Sequence, residues 1–518
     1  MSSKKMLATV SIAALSLSLA ACSTGRGTEG TGQNVEGCGN GEGLVVNLSN
    51  PTQPVSLDGN YDTLIPFQQI NRNLYDGLFK LDNDMQVQPS LATEFTLDDD
   101  GITYHFMLRD DVTFHDGSSF TADDVVSTFE RIATDEELSS RQRNYISNVE
   151  QVTKTDAHEV QITLKQPDAS FISTLATSIY ITPAQAVEEK GAAFGQSPVG
   201  SGPFKFASWN QGDSVVLTAN CDYWGSETIP SQVEFRFISE PATQISSLQS
   251  GEIDIATGVT PDLANVIEGS PDVAVKSVEG NQAIWLAFNT LEGPFADAKV
   301  RQAVNYAIDK EAITDSLLDG YATPLGQLYG SSIFGHSQNV DPYPYNPDRA
   351  KELLAEAGYE DGELSVEFVL YYDYLNTVQQ NVASYLEAVG IKVTSRTDPN
   401  FFSDTWLQNK MGSGQVFLAS NTNILMDADY PLGLWFDGAR RGLYFHTPET
   451  DAAIAKARST ADSEERQQVY DELNELFYEK APAAFMYNTD AIYGTSDRIN
   501  WEPRSDGAIY LADVTKTR

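Results

Sequence analysis

The sequence predicts an α/β protein of two or three packed units, with strands and helices mixed along the chain in no repeating order. Three observations carry this. At 518 residues the chain is longer than one hydrophobic core usually supports. Apolar positions recur with period two in some segments and near 3.6 in others. Past the N-terminal region there is no heptad run, no solenoid-length repeat and no second segment of membrane-spanning length. Hydrophobic residues at 41% and aromatics at 10% supply large cores and exclude a mainly disordered chain.

Leu44 to Leu48 is a short apolar strand. Ile102, Tyr104, Phe106 and Leu108 alternate as on a half-buried strand, and so do Val160, Ile162 and Leu164, and Val233, Phe235 and Phe237. Helices show both period and punctuation. Asn346 caps one, with Pro347 in its first turn, Ala350, Leu353, Leu354 and Ala357 on one face and Gly358 as the stop. Val378, Val382, Tyr385, Leu386 and Val389 form a second stripe, closed by Gly390 before the strand-like Ile391-Lys392-Val393. Val300, Ala303, Val304, Ala307 and Ile308 form a third.

Charge and the N-terminus bound the function. With 33 basic against 73 acidic residues the formal charge is −40, which repels phosphate backbones and anionic lipid headgroups and excludes nucleic acid as a partner. Lys4 and Lys5 precede the uncharged run Met6 to Ala21, so residues 1–21 read as an export signal. That run ends in Leu19-Ala20-Ala21-Cys22, which resembles a bacterial lipobox and implies an acylated Cys22 that anchors the protein to the outer face of the cell membrane or in the periplasm. Residues 22–43 are Gly- and Thr-rich and read as a flexible tether. With Cys22 acylated, Cys38 and Cys221 have one possible pairing, a disulfide; the alternative is two buried thiols.

Four stretches in order resemble the family of bacterial extracellular solute-binding proteins, family 5, that serve peptide, nickel and related ABC importers. The first is Tyr104-His105-Phe106-Met107-Leu108-Arg109 with Thr113-Phe114-His115-Asp116-Gly117 and Thr121-Ala122-Asp123-Asp124-Val125. The second is Gly200-Ser201-Gly202-Pro203-Phe204 with Asn220-Cys221-Asp222-Tyr223-Trp224-Gly225. Leu248 to Ile255 is the third, and Leu286-Ala287-Phe288-Asn289 with Val300-Arg301-Gln302-Ala303-Val304 the fourth. In physical terms these are mostly structural: His115-Asp116-Gly117 reads as a turn rather than a catalytic imidazole–carboxylate pair, and Thr121 with Asp124 as a helix cap.

The resemblance implies a two-lobed periplasmic-binding-protein-like clamp of type II. Lobe I would comprise 44–75, 195–281 and 489–518 with an inserted subdomain at 76–194, and lobe II would span 282–488. Crossover strands are expected near Ala283 to Asn289 and Ala484 to Asn488. The implied function is capture of a small solute, a di- or oligopeptide, by hinge closure and its delivery to membrane permease subunits. The implied protein is a monomer with no cofactor and no metal of its own. The alternative reading is a receptor for nickel chelate, glutathione or an oligosaccharide on the same scaffold.

In peptide-binding members a strand near Thr422 to Pro431 ends in an acid that pairs with the ligand ammonium. Asp429 fits that context, with Asp427 as the alternative, and Asn423 and Tyr430 flank them. Trp406 and Trp435 are candidate walls, Arg440 and Arg441 candidate carboxylate clamps, and Pro51 to Asp62 a further contact loop. The sequence departs from the family here: the tryptophan usual two or three residues before the acid is replaced by Leu425, Met426 and Asp427. A secreted hydrolase is the rival class. No Gly-x-Ser-x-Gly elbow, His-Glu-x-x-His helix or phosphate loop supports it, and His105, His115, His158, His336 and His446 lack ligand-like spacing.

Overall fold

Two long antiparallel strands, Val273–Phe288 and Ala483–Ser496, organise the architecture because each belongs to two bodies in succession. The computed structural model describes residues 38, 43–225, 230–442 and 444–517; the expected signal, Cys22 and nearly all of the tether lie outside them. Residues Val273 to Glu279 pair with Asp490 to Ser496, and Gln282 to Ala287 pair with Ala483 to Thr489. Between these runs the register shifts at Gly280 and Asn281, three residues ahead of the expected crossover at Ala283. A Cβ on Gly280 would lie 2.7 Å from the Thr489 carbonyl oxygen, so this bulge requires glycine. Asn488 Nδ2 donates to the Gly280 carbonyl at 2.7 Å and straps the bulge across the pair.

On one side of the bulge the sheet continues through Ile255–Ala256, Val45–Asn50, Gln232–Phe237, Ser214–Ala219 and Phe204–Asn210; on the other through Gln415–Thr422, Ser365–Leu370 and Lys392–Thr397. Alternation along Val273–Phe288 explains how the second body is layered. Ile284, Leu286 and Phe288 face a core shared with the helices Ala298–Ala307, Pro347–Glu356 and Asn376–Ala388. Trp285 and Ala287 face the opposite core, with Trp406, Trp435, Tyr470 and Phe477. A separate four-stranded sheet holds Ala92–Leu97, Thr103–Leu108, Glu159–Leu164 and Val149–Asp156.

Local signals translate directly. The Asn346 side chain accepts from the Arg349 amide at 3.0 Å, and Thr121 with Asp124 forms a capping box. Asp116 accepts from the Ser118 amide at 3.0 Å while Gly117 takes φ +88°, the turn read from sequence. Cys38 and Cys221 form a disulfide, with Cα atoms 5.4 Å apart.

The resemblance-carrying stretches bind one another. Asp76, buried, accepts from Ser201 Oγ, Tyr223 Oη and Trp224 Nε1 at 2.9, 3.0 and 3.2 Å, which draws both halves of the second stretch onto one carboxylate. Burial raises its pKa, against those three hydrogen bonds. Arg301 donates to the carbonyls of Lys480, Ala481, Phe295 and Ala296, closing the C-terminus of helix Ser463–Lys480.

His115 links the first stretch to the second. Its Nδ1 accepts from the Gly200 amide at 3.1 Å and its Nε2 donates to the Gly202 carbonyl at 3.0 Å, an arrangement only the neutral ring satisfies. Burial pushes its pKa down from 6.5 to about 4. Below pH 6.5 the unfolded chain takes up a proton that the folded chain refuses until about pH 4. The contribution is therefore absent above 6.5 and grows to a loss of about 3 kcal/mol as pH falls through that window. Urea denaturation at pH 7 and pH 4.5 tests this. His115→Gln is expected to lose about 2–3 kcal/mol less on acidification than wild type; an equal loss would contradict the assignment.

Candidate functional site

The turn that follows strand Gln415–Thr422 is built onto the bulge. Asn423 donates its amide to the Asn281 carbonyl at 2.8 Å, and Asn281 Nδ2 donates back to the Asn423 carbonyl at 3.1 Å. Asn423 Nδ2 reaches the Asp427 carbonyl at 3.0 Å, and Met426 takes φ +53°, a conformation that costs a non-glycine residue free energy and is held by its surroundings. The Phe334 amide meets the Met426 carbonyl at 3.0 Å, and the Ala428 amide meets the Phe334 carbonyl at 2.9 Å. Helix Asp429–Trp435 starts directly after.

Two buried ion-pair groups fix this turn from helices downstream in the chain. Arg466 grips Asp427 with both guanidinium nitrogens, at 2.6 and 2.8 Å, and also donates to Tyr470 Oη and the Ala457 carbonyl. Arg458 donates to Asp429 at 2.9 Å and to Asp437 at 2.8 Å, while Arg440 approaches Asp429 at 3.2 Å. For Arg458 and Arg466, burial opposes the charge and the facing carboxylates outweigh it, so both pKa values are raised. Charges buried at this depth require such partners, and here they have them.

Above this base lies a cavity of about 1430 Å³. One wall comes from Gln282, Ser420 to Thr422, Ile424, Leu425 and helix Asp429–Trp435. The facing wall comes from Thr63 to Pro66, from Ser140 to Asn148 and from Lys165 to Ser170. The volume exceeds the roughly 300–1,000 Å³ of small-molecule pockets. Trp406 and Trp435 pack within an aromatic cluster with their rings tilted by 46° and centroids 5.3 Å apart, and Trp435 Nε1 is buried with no hydrogen-bond partner among the described residues. The walls touch where the Ala169 amide donates to the Arg458 carbonyl at 2.8 Å.

Of the residues picked from sequence, Asp429, Tyr430, Trp406, Trp435, Arg440 and Arg441 line the cavity together. Asp427 and Asn423 do not line it: they lie beneath the wall and hold the turn, Asp427 being spent on Arg466. Pro51 to Asp62 also stays off the lining, which begins one residue later at Thr63. Sequence reading missed the facing wall, above all Arg141, Tyr145, Lys165 and Asp168. The carboxyl of Asp168 is raised by burial and then by the charge of Asp429 across the cavity, against its hydrogen bonds from Ser170 and the charge of Arg440. Asp168 forms no ion pair among the described residues. Also among these residues, no cluster of His, Cys, Asp or Glu is placed to hold a metal, and no helix is long and apolar enough to cross a membrane.

Comparison with known proteins places this geometry. The family of bacterial extracellular solute-binding proteins, family 5 (middle region), matches residues 86–442. The glutathione-binding protein GsiB of Salmonella typhi is 30% identical over 452 residues, covering 83% of this chain and 87% of that one. The structure of HbpA2 from Haemophilus parasuis superposes with a TM-score of 0.84 at 23% identity, covering 92% of this chain and all of the other. The periplasmic binding protein DppA from Helicobacter pylori, in complex with the peptide STSA, gives 0.73 at 23% identity over 92% and 98% of the two chains. Its mixed α/β, two-lobed architecture and these matches show that the chain belongs to the bacterial extracellular solute-binding proteins of family 5.

Proposed function

We propose that the chain captures a short peptide or peptide-like solute in the cavity and releases it, chemically unaltered, to the permease of an ABC importer. The observation that carries this is the cavity itself: about 1430 Å³, bounded by two facing walls whose bodies are joined through the bulged pair of long strands. The lobes divide at that bulge, with 44–75, 195–281 and 489–518 in lobe I, 76–194 inserted in it, and 282–488 in lobe II. Opening and closing need backbone rotation at only a few residues, and Gly280 with Asn281 breaks the ladder at that place. Ligand drives closure because only in the closed form does it touch both walls.

The wall chemistry suits an amino-acid backbone. Asp168, without an ion pair among the described residues, has its pKa raised by burial and by the charge of Asp429, and a ligand ammonium at Asp168 relieves that repulsion. Tyr430 and Trp406 supply flat apolar surface. Relatives that bind glutathione and a serine- and threonine-containing peptide support a ligand of this class. Binding without chemistry makes the chain a receptor rather than an enzyme, and acylated Cys22 would hold it, as a monomer, at the outer face of the membrane. Titration calorimetry with di- to pentapeptides and glutathione tests the reading. One ligand per chain, recovered with unchanged mass, is expected; turnover of the ligand would refute it.

A further inference from the structure

The chain as a whole carries 73 acidic against 33 basic residues, more than two acids per base. The cavity wall inverts that ratio: its acids are Asp168 and Asp429, and its bases are Arg141, Lys165, Arg440 and Arg441. Asp429 is already matched, since Arg458 and Arg440 both reach it. Arg141, Lys165 and Arg441, by contrast, form no ion pair among the described residues. Arg141 donates only to Thr63 Oγ1, at 3.3 Å, and Lys165 to the Ser147 carbonyl, at 2.7 Å. In a chain with so many spare carboxylates, three cations without one along a single cavity form a positive recess in a negative surface.

The arginines stand on opposite walls. Arg141 comes from helix Ser140–Tyr145, Arg441 from the segment that follows helix Asp429–Trp435, and Tyr430 lines the same cavity. Burial raises the Tyr430 hydroxyl's pKa, and the positive charge of Arg141, a hydrogen bond with Tyr145 and the positive charge of Arg441 lower it, so Tyr430 feels cations from both walls. A guanidinium offers a planar donor fork matched to a carboxylate.

We infer that the cavity selects ligands carrying at least two carboxylates, and that Arg141 and Arg441 take them up from opposite walls. This rests on the reading of the cavity as a solute site. It adds that ligand charge decides affinity, and that a ligand whose carboxylates reach both arginines favours the closed form. Lys165 is a further donor on the same lining.

Calorimetry on the full chain with Ala-Glu-Ala, its amide counterpart Ala-Gln-Ala, Ala-Lys-Ala and free glutarate tests this. Ala-Glu-Ala is expected to bind at least tenfold more tightly than Ala-Gln-Ala. Arg141→Gln and Arg441→Gln each reduce that ratio below about threefold, whereas Arg141→Lys and Arg441→Lys keep much of it. Both arginines are exposed, so thermal melting is expected to stay at the wild-type value. Equal binding of the three peptides would overturn the charge selection and leave peptide capture standing. An acid preference that survives both glutamine variants would overturn the assignment to these arginines. Binding of glutarate with no binding of any peptide would uphold the two-carboxylate rule and refute the peptide reading; no binding by any of the four would refute both.

Discussion

Replacing Arg466 with methionine is expected to lower folding stability by about 3–5 kcal/mol, measured by urea denaturation at neutral pH. Both Arg466 and Asp427 are buried, and the guanidinium meets the carboxylate through two short hydrogen bonds. Without Arg466 the Asp427 carboxylate stays buried with no guanidinium gripping it, and the turn at Met426, already at φ +53°, loses its anchor. The double variant Asp427→Asn with Arg466→Met is expected to recover part of the loss, because the charge that caused it is gone. If the single and double variants are equally destabilised, lost packing rather than an unpaired carboxylate accounts for the effect.

The second large effect concerns the Cys38–Cys221 disulfide, whose cysteines are 183 residues apart in sequence. In the chain-entropy account a closure of this length restricts the unfolded ensemble and contributes on the order of 5 kcal/mol. Serine at both positions is expected to lower stability by about 2–5 kcal/mol in urea denaturation. Addition of dithiothreitol should destabilise the wild type by a similar amount and leave the serine variant unchanged. A wild type indifferent to reductant would show that the bridge contributes little.

What could be read in the chain followed from local physics. Asn346, Thr121 and Asp124 announce helix starts by spacing alone, and Gly117 marks a turn that only glycine enters without strain. His115 was legible as a turn residue, yet its link to Gly200 and Gly202 spans more than 80 residues and leaves no spacing pattern. The same limit applies at the cavity. Asp429, Tyr430, Trp435, Arg440 and Arg441 could be found together because they fall within 13 consecutive positions. Choosing between Asp427 and Asp429 required knowing where Arg458 and Arg466 return, and both come from later helices. The facing wall, with Arg141, Lys165 and Asp168, is assembled by tertiary packing of a separate sheet and its connecting segments, so no local signal marks it.

The central claim is that two bodies hinged at the bulge close around a solute and leave it chemically intact. Small-angle X-ray scattering of the purified chain, with and without a saturating peptide, combined with mass spectrometry of the recovered peptide, tests it most directly. The account predicts a smaller radius of gyration in the bound state and a peptide of unchanged mass. Identical scattering curves under saturation, or a peptide recovered in pieces, would contradict it.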